Sequence, residues 1–322
     1  MNRHALLFPA AALAFILGAC SGQEDHSLNH VTAAKLKERI AVLANDSLQG
    51  RGPGTRGEER TISYLISQFK QLGLEPAGDG GTYVQNVPLV GVRIDPSVTM
   101  DVARGKQSIR LKFPDEFVAT TGIYEPVVSV KNAEMVFVGY GILAPEYGWD
   151  DYKGVDVSGK ILLMMNDDPN TGDSTFFAGK GRTYYGRWTY KYEIAAQKGA
   201  LGAIVIHTNE SAGYPYQVIR TSRSRENFDL DTPGEHQDIA LKGWTTEDAT
   251  KRYLALAGFD VQKLIASAQS KEFKPVPLGL TVSATMKFTI RRIETHNVIG
   301  ILGGSDSKLK DEYIAFSAHH DH

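Results

Sequence analysis

The chain has 322 residues, 42% of them hydrophobic and 22% charged, with a formal net charge of -2. That length allows two domains, and a balanced charge without a dense basic stripe excludes a nucleic-acid partner. A single cysteine excludes a disulfide framework.

The N-terminus reads as a leader. Arg3 precedes the apolar run Ala5–Leu17, which is too short to span a bilayer comfortably and suits the core of a signal peptide. Leu17-Gly18-Ala19-Cys20 resembles the bacterial lipobox, so residues 1–20 are expected to be a lipoprotein signal peptide. Cys20 is then the lipidation site, and residues 21–30 a polar tether. The expected location is the bacterial cell envelope, lipid-anchored at the outer membrane or periplasmic face, or secreted.

Thr32 can cap a helix whose apolar positions Leu36, Ile40 and Leu43 fall on one stripe. The turn-rich stretch Asp46–Gly57 looks superficially like a phosphate-cradling glycine loop. It follows a helix rather than a strand and lacks Gly-Lys-Ser/Thr, so a tight loop is the better reading. Ile62, Leu65, Ile66, Phe69 and Leu72 mark a core-packing helix with Gly73 as its stop. Glu58, Glu59 and Arg60 near its start read as solvated or first-turn charges.

Short strands follow at Tyr83–Leu89, Val98–Val102 and Ile109–Phe113, punctuated as a meander or hairpins. Between about Glu125 and Lys274 a βαβ-like series begins, with strands at Met135–Tyr140, Ile161–Met165 and Ala203–His207 and a helix over Tyr192–Lys198 ending at Gly199. The aromatic stretch Tyr184–Tyr192 reads as cement for a domain interface rather than a cleft lining. Arg220–His236 reads as a long loop, and Ala255–Ala268 as a helix or pair of short helices. Alternation from Leu278 to Ile290 predicts a half-buried strand, Asn297–Leu302 a more buried one, and Tyr313–Ala318 a short buried strand that ends at His319.

Beyond that last strand come His319, His320, Asp321 and His322. In extended backbone, residues two apart share a side, so His319 and Asp321 can supply a metal ligand and the carboxylate that orients it. On four residues alone, a solvated polar terminus or a histidine-tag-like scar competes evenly with a metal site. His207, His236 and His296 are isolated and read as surface or satisfied core residues.

Several stretches together resemble the M28 family, co-catalytic zinc aminopeptidases, in the bacterial subgroup with a protease-associated (PA) domain insert. They are Ser47-Leu-Gln-Gly-Arg-Gly-Pro-Gly-Thr-Arg-Gly57, Gly80–Gln85, Phe137-Val-Gly-Tyr-Gly141, Trp149-Asp-Asp-Tyr152, Tyr185–Tyr192, and Asn297–Gly300 with Ser317–His322. The resemblance implies an α/β fold: the start of a three-layer α/β/α peptidase domain, interrupted by a PA-like α/β insert. The expected boundaries are 31–120 for the N-terminal part, 121–277 for the insert and 278–322 for the first strands of the peptidase core.

The resemblance further implies a metallopeptidase of aminopeptidase type that hydrolyses N-terminal peptide bonds of peptide or protein substrates. Two zinc ions lower the pKa of a bound water and stabilise the oxyanion. His319 maps onto the first metal ligand and Asp321 onto the catalytic carboxylate that polarises it. His320 occupies a variable position and His322 has no assigned role. The bridging Asp, the base Glu and the other ligands have no counterpart, so the expectation is an incomplete, inactive N-terminal portion. The alternative is a non-catalytic envelope lipoprotein whose PA-like domain is a peptide or protein interaction module.

Overall fold

A computed structural model describes residues 31–173, 175–177, 179, 181–232, 234 and 239–322. Cys20 and His236 lie outside the described residues. The described residues form two compact units, one from residues 31–74 together with Leu302–His322, the other from Glu75–Ile301. Among the described residues, no helix is long and apolar enough to cross a membrane.

In the first unit, Thr32 caps α1 (Ala33–Leu43) by accepting from the Lys35 N–H. The expected stripe is present but no residue of α1 is buried, and Leu36 and Ile40 are exposed. A turn over Asp46–Arg51 leads to α2 (Arg56–Gln71), where Thr55 accepts from the Glu58 N–H and the Glu58 carboxylate accepts from the Gly54 N–H. This Thr-x-x-Glu arrangement satisfies N–H groups that a helix start leaves unpaired. Glu58 is therefore buried rather than solvated. Gly57 lies so close to the turn that a Cβ there would meet the Leu48 carbonyl oxygen at 1.9 Å.

The predicted strand Tyr313–Ala318 is absent. The segment has no regular structure, and Tyr313, Ile314 and Phe316 are 73%, 87% and 95% exposed. An apolar run becomes a strand only where a neighbour supplies hydrogen bonds and cover, and no described residue pairs with this one.

The second unit runs in order through β1 (Glu75–Pro76), β2 (Val84–Ile94), β3 (Thr99–Arg104), β4 (Gln107–Lys112), β5 (Phe117–Thr120), β6 (Val127–Phe137), β7 (Leu143–Ala144), β8 (Trp149–Asp150) and β9 (Ile161–Met165). It continues with α3 (Trp188–Gln197), β10 (Gly202–His207), α4 (Asn209–Ala212), α5 (Tyr216–Arg223), β11 (Asn227–Leu230), β12 (Leu241–Thr246), α6 (Glu247–Leu256), α7 (Val261–Ser267), β13 (Val276–Val298) and β14 (Gly300–Ile301). The main sheet has the order β11-β2-β13-β6-β9-β10-β12-β5, with β3 on β13 and β4 on β3. β6, β9, β10 and β12 are parallel, and the other pairs are antiparallel.

Every residue of β9 and β10 is buried, as expected of parallel strands covered on both faces. β13 alternates instead: Leu278, Leu280, Val282, Ala284, Met286 and Phe288 face the core. Its first half pairs with β6 and β3, its second half with β2. Gly279, at φ +63, sits where the register against β6 shifts, a backbone position that glycine takes without Cβ strain. This pairing brings the strands over 84–112 into the same unit, which is wider than the 121–277 stretch expected for an insert. The expected loop Arg220–His236 contains the end of α5 and all of β11; β11 forms because β2 offers it a ladder.

Candidate functional site

The turn between α1 and α2 carries three successive residues at positive φ: Gln49 at 51°, Gly50 at 78° and Arg51 at 61°. Left-handed backbone costs a residue with a Cβ about 1–2 kcal/mol, so something nearby compensates. In this conformation the Arg51 guanidinium donates from Nε to the His320 carbonyl at 2.8 Å and from a second nitrogen to the Leu43 carbonyl at the end of α1. A Cβ added at Gly50 or Gly52 would stand 3.7 or 3.8 Å from the His322 carbonyl oxygen. Arg51 therefore ties the turn to the backbone at His320.

Nδ1 of His319 lies 3.0 Å from the Asp321 carbonyl oxygen and 3.4 Å from its carboxylate. With Nδ1 carrying the proton toward Asp321, Nε2 is the nitrogen left to a metal. The His319 side chain is 82% exposed. His320 is half-buried, with Nε2 lacking a partner. Catalytic zinc takes about three protein ligands, and among the described residues no three His, Cys, Asp or Glu side chains come together. One imidazole with an orienting carboxylate fits a single ligand, so the described residues do not make a zinc centre by themselves.

The other motif stretches are structural joints inside the second unit. Asp151 accepts from the Ile142 N–H at 2.9 Å and from Trp149 Nε1 at 2.8 Å. Burial pushes its pKa up to about 6 against the pull of those two bonds. Tyr152 donates to the Gly141 carbonyl, so the segments around residues 137–141 and 149–152 lock onto each other. The aromatic stretch packs within this unit, with Tyr185 and Tyr190 ring centres 5.1 Å apart.

Lys191 is hidden among those aromatic residues. It is fully buried and donates to the carbonyls of Tyr140 and Tyr185, each at 2.7 Å, and of Asp167 at 3.2 Å. Three acceptors for three ammonium protons tie together the loops after β6 and β9 and the turn before α3. Burial lowers its pKa to about 7, with Asp168, Asp151 and Asp167 opposing. The signal available in the sequence is a lysine within a largely apolar and aromatic helical segment, Tyr190–Ala196, whose other charge is Glu193. His207 is buried as well, but its Nε2 has no hydrogen-bond partner, so it is not a satisfied core histidine. His296 is half-buried, 3.7 Å from Glu294.

Residues 123–238 match the PA domain family model. The chain thus contains a PA domain, and the strands and helices around it make it α/β. No curated protein sequence matches the chain. Among solved structures, it is similar to BSAP, a zinc aminopeptidase from Bacillus subtilis, at 14% identity and a TM-score of 0.31. That alignment covers 84% of this chain and 46% of the other, so the chain spans less than half the length of that enzyme. At this identity and TM-score no residue role is carried over.

Proposed function

We propose that the chain is part of a zinc-dependent metallopeptidase of aminopeptidase type, held in the bacterial cell envelope through a lipid on Cys20. The observation that carries this reading is the His319–Asp321 pair, with Nδ1 3.0 Å from the Asp321 carbonyl and 3.4 Å from its carboxylate, and the intervening His320 carbonyl bonded by Arg51. The PA domain supports a peptidase-associated protein. In this reading His319 supplies one zinc ligand through Nε2 and Asp321 holds its tautomer. Since one imidazole falls short of a catalytic donor set, the remaining donors come from residues outside the described ones, and residues 1–322 alone have no peptidase activity. Peptides or proteins with free N-termini are the proposed substrates.

The test is a longer product, in which the reading frame downstream of codon 322 is expressed in continuity with this chain. Zinc-dependent release of an N-terminal residue, abolished by His319→Ala, is expected. A stop codon directly after position 322, or zinc-dependent activity of residues 1–322 alone, contradicts the reading.

A second reading is a non-catalytic envelope lipoprotein that uses its PA domain to bind peptides or proteins. A cleft at one end of the main sheet favours it, and binding without hydrolysis by the longer product would select it.

A further inference from the structure

β9, β10 and β12 are parallel neighbours, and their carboxyl ends open into a cleft of about 680 Å³. In open α/β sheets, ligands bind beyond the carboxyl ends of the strands. The loops leaving these three strands bring five carboxylates to the lining: Asp167, Asp168, Glu210, Glu247 and Asp248. No lysine or arginine is among the described lining residues. Arg182 pairs with Asp167, Lys251 with Glu247, and buried Lys191 holds the Asp167 carbonyl. Five carboxylates against three cations leave the cleft negative.

The unpaired atoms point the same way. His207 lines the cleft, is 3% exposed, and has no partner for Nε2. Burial lowers its pKa, so at neutral pH the ring is uncharged and one nitrogen accepts. Gln269 also lines the cleft with Oε1 unpaired, and Asn166, at the end of β9, has Oδ1 unpaired. Trp244 Nε1, an unpaired donor behind the His207 ring, is not in the lining. In the lining the unpaired buried side-chain atoms are acceptors, the donors come from neutral amides and hydroxyls, and the net charge is negative. No three His, Cys, Asp or Glu side chains among the described residues gather closely enough to hold a metal ion. The complement is a larger organic cation with several N–H groups, and guanidinium carries five donors and no acceptor. Two tyrosines, Tyr140 and Tyr216, are also in the lining, and aromatic rings attract such a cation.

We propose that this cleft is a recognition site for a basic group of a peptide, with an arginine side chain as its preferred occupant. The site lies wholly within the Glu75–Ile301 unit, so it stands apart from the metal reading of His319, and either can fail without the other.

The experiment titrates the full chain with capped peptides, acetyl-Ala-Arg-Ala-amide and its lysine, citrulline and glutamate counterparts, by calorimetry and by the His207 ring resonances. Arginine is expected to bind at least about tenfold tighter than citrulline, which keeps the shape and loses the charge. Glutamate is expected not to bind. Glu210→Gln combined with Asp248→Asn, at exposed positions, is expected to weaken arginine binding about tenfold with an unchanged melting temperature. An uncapped Ala-Gln-Ala-amide arm separates an α-ammonium from a side chain, and tighter binding of that peptide overturns the side-chain assignment. Equal binding of citrulline, unchanged binding by the double variant, no binding at millimolar peptide, or stoichiometric displacement of the arginine peptide by calcium each overturns the proposal.

Discussion

Arg51 donates its Nε–H to the carbonyl of His320 at 2.8 Å, joining residues 269 positions apart. The bond fixes the His320–Asp321 peptide and, through a second nitrogen of Arg51, ties it to the end of α1. A charge-assisted bond of this kind contributes about 1.5–3 kcal/mol. Arg51→Ala is expected to lose that amount and to release the amides of residues 319–322 to rapid hydrogen exchange. Arg51→Lys does not restore protection, because a single ammonium lacks the planar fork that reaches both carbonyls. Unchanged exchange in either variant would show that the segment is held by something else.

Gly57 carries the same turn from the other side. A methyl group there would sit 1.9 Å from the Leu48 carbonyl oxygen, a distance that backbone must yield to. Gly57→Ala is expected to cost about 2–3 kcal/mol and to loosen residues 46–51. A thermal melt and exchange at Leu48 check this.

Elements whose burial comes from their own sequence are legible in it. β9 and β10 are continuous apolar runs, and α2 keeps its buried Ile62 on the expected stripe. β12 escapes sequence reading because Lys242 and Gly243 interrupt the run Leu241–Thr246; it becomes a strand by pairing with β10 and β5. Lys242 is accommodated by Asp229 at 3.3 Å. α5 escapes it because it buries only Ile219. The apolar stretch Tyr313–Ala318 misleads in the other direction, since hydrophobicity does not supply a partner strand. His319 and Asp321 are two residues apart and can be read together. Arg51 and the cleft cannot, because their parts meet only after folding.

Lys191→Met removes the ammonium that bridges Tyr140, Tyr185 and Asp167 and leaves three buried carbonyls without a donor. The loss is expected to be about 3 kcal/mol of stability in denaturant titration, even though a buried charge also disappears. A variant as stable as the parent would mean that water replaces the ammonium.

Asp151 gives a pH signature of defined sign. Its folded pKa, raised by burial to about 6, exceeds the ordinary aspartate value of 3.8 expected in the unfolded chain. The native state therefore holds the extra proton between those values. The stability from this group is full below the unfolded pKa and is lost as pH rises through about 6. Asp151→Asn removes that dependence while leaving one of the two donors, the Ile142 N–H or Trp149 Nε1, poorly paired. The stability advantage of the parent over this variant is expected to shrink by on the order of 2–3 kcal/mol between about pH 4 and pH 7. A gap that widens with pH would reverse the assignment.

The most direct measurement of the central claim follows the imidazole nitrogens of His319, His320 and His322 by NMR during zinc titration of the full chain. The account predicts that Nε2 of His319 shifts first, while its Nδ1 stays protonated toward Asp321. Asp321→Ala should remove that order and His319→Ala should remove the zinc-induced shift. Simultaneous, interchangeable shifts of all three rings, or a shift that begins at His320 or His322 before His319 moves, would contradict it.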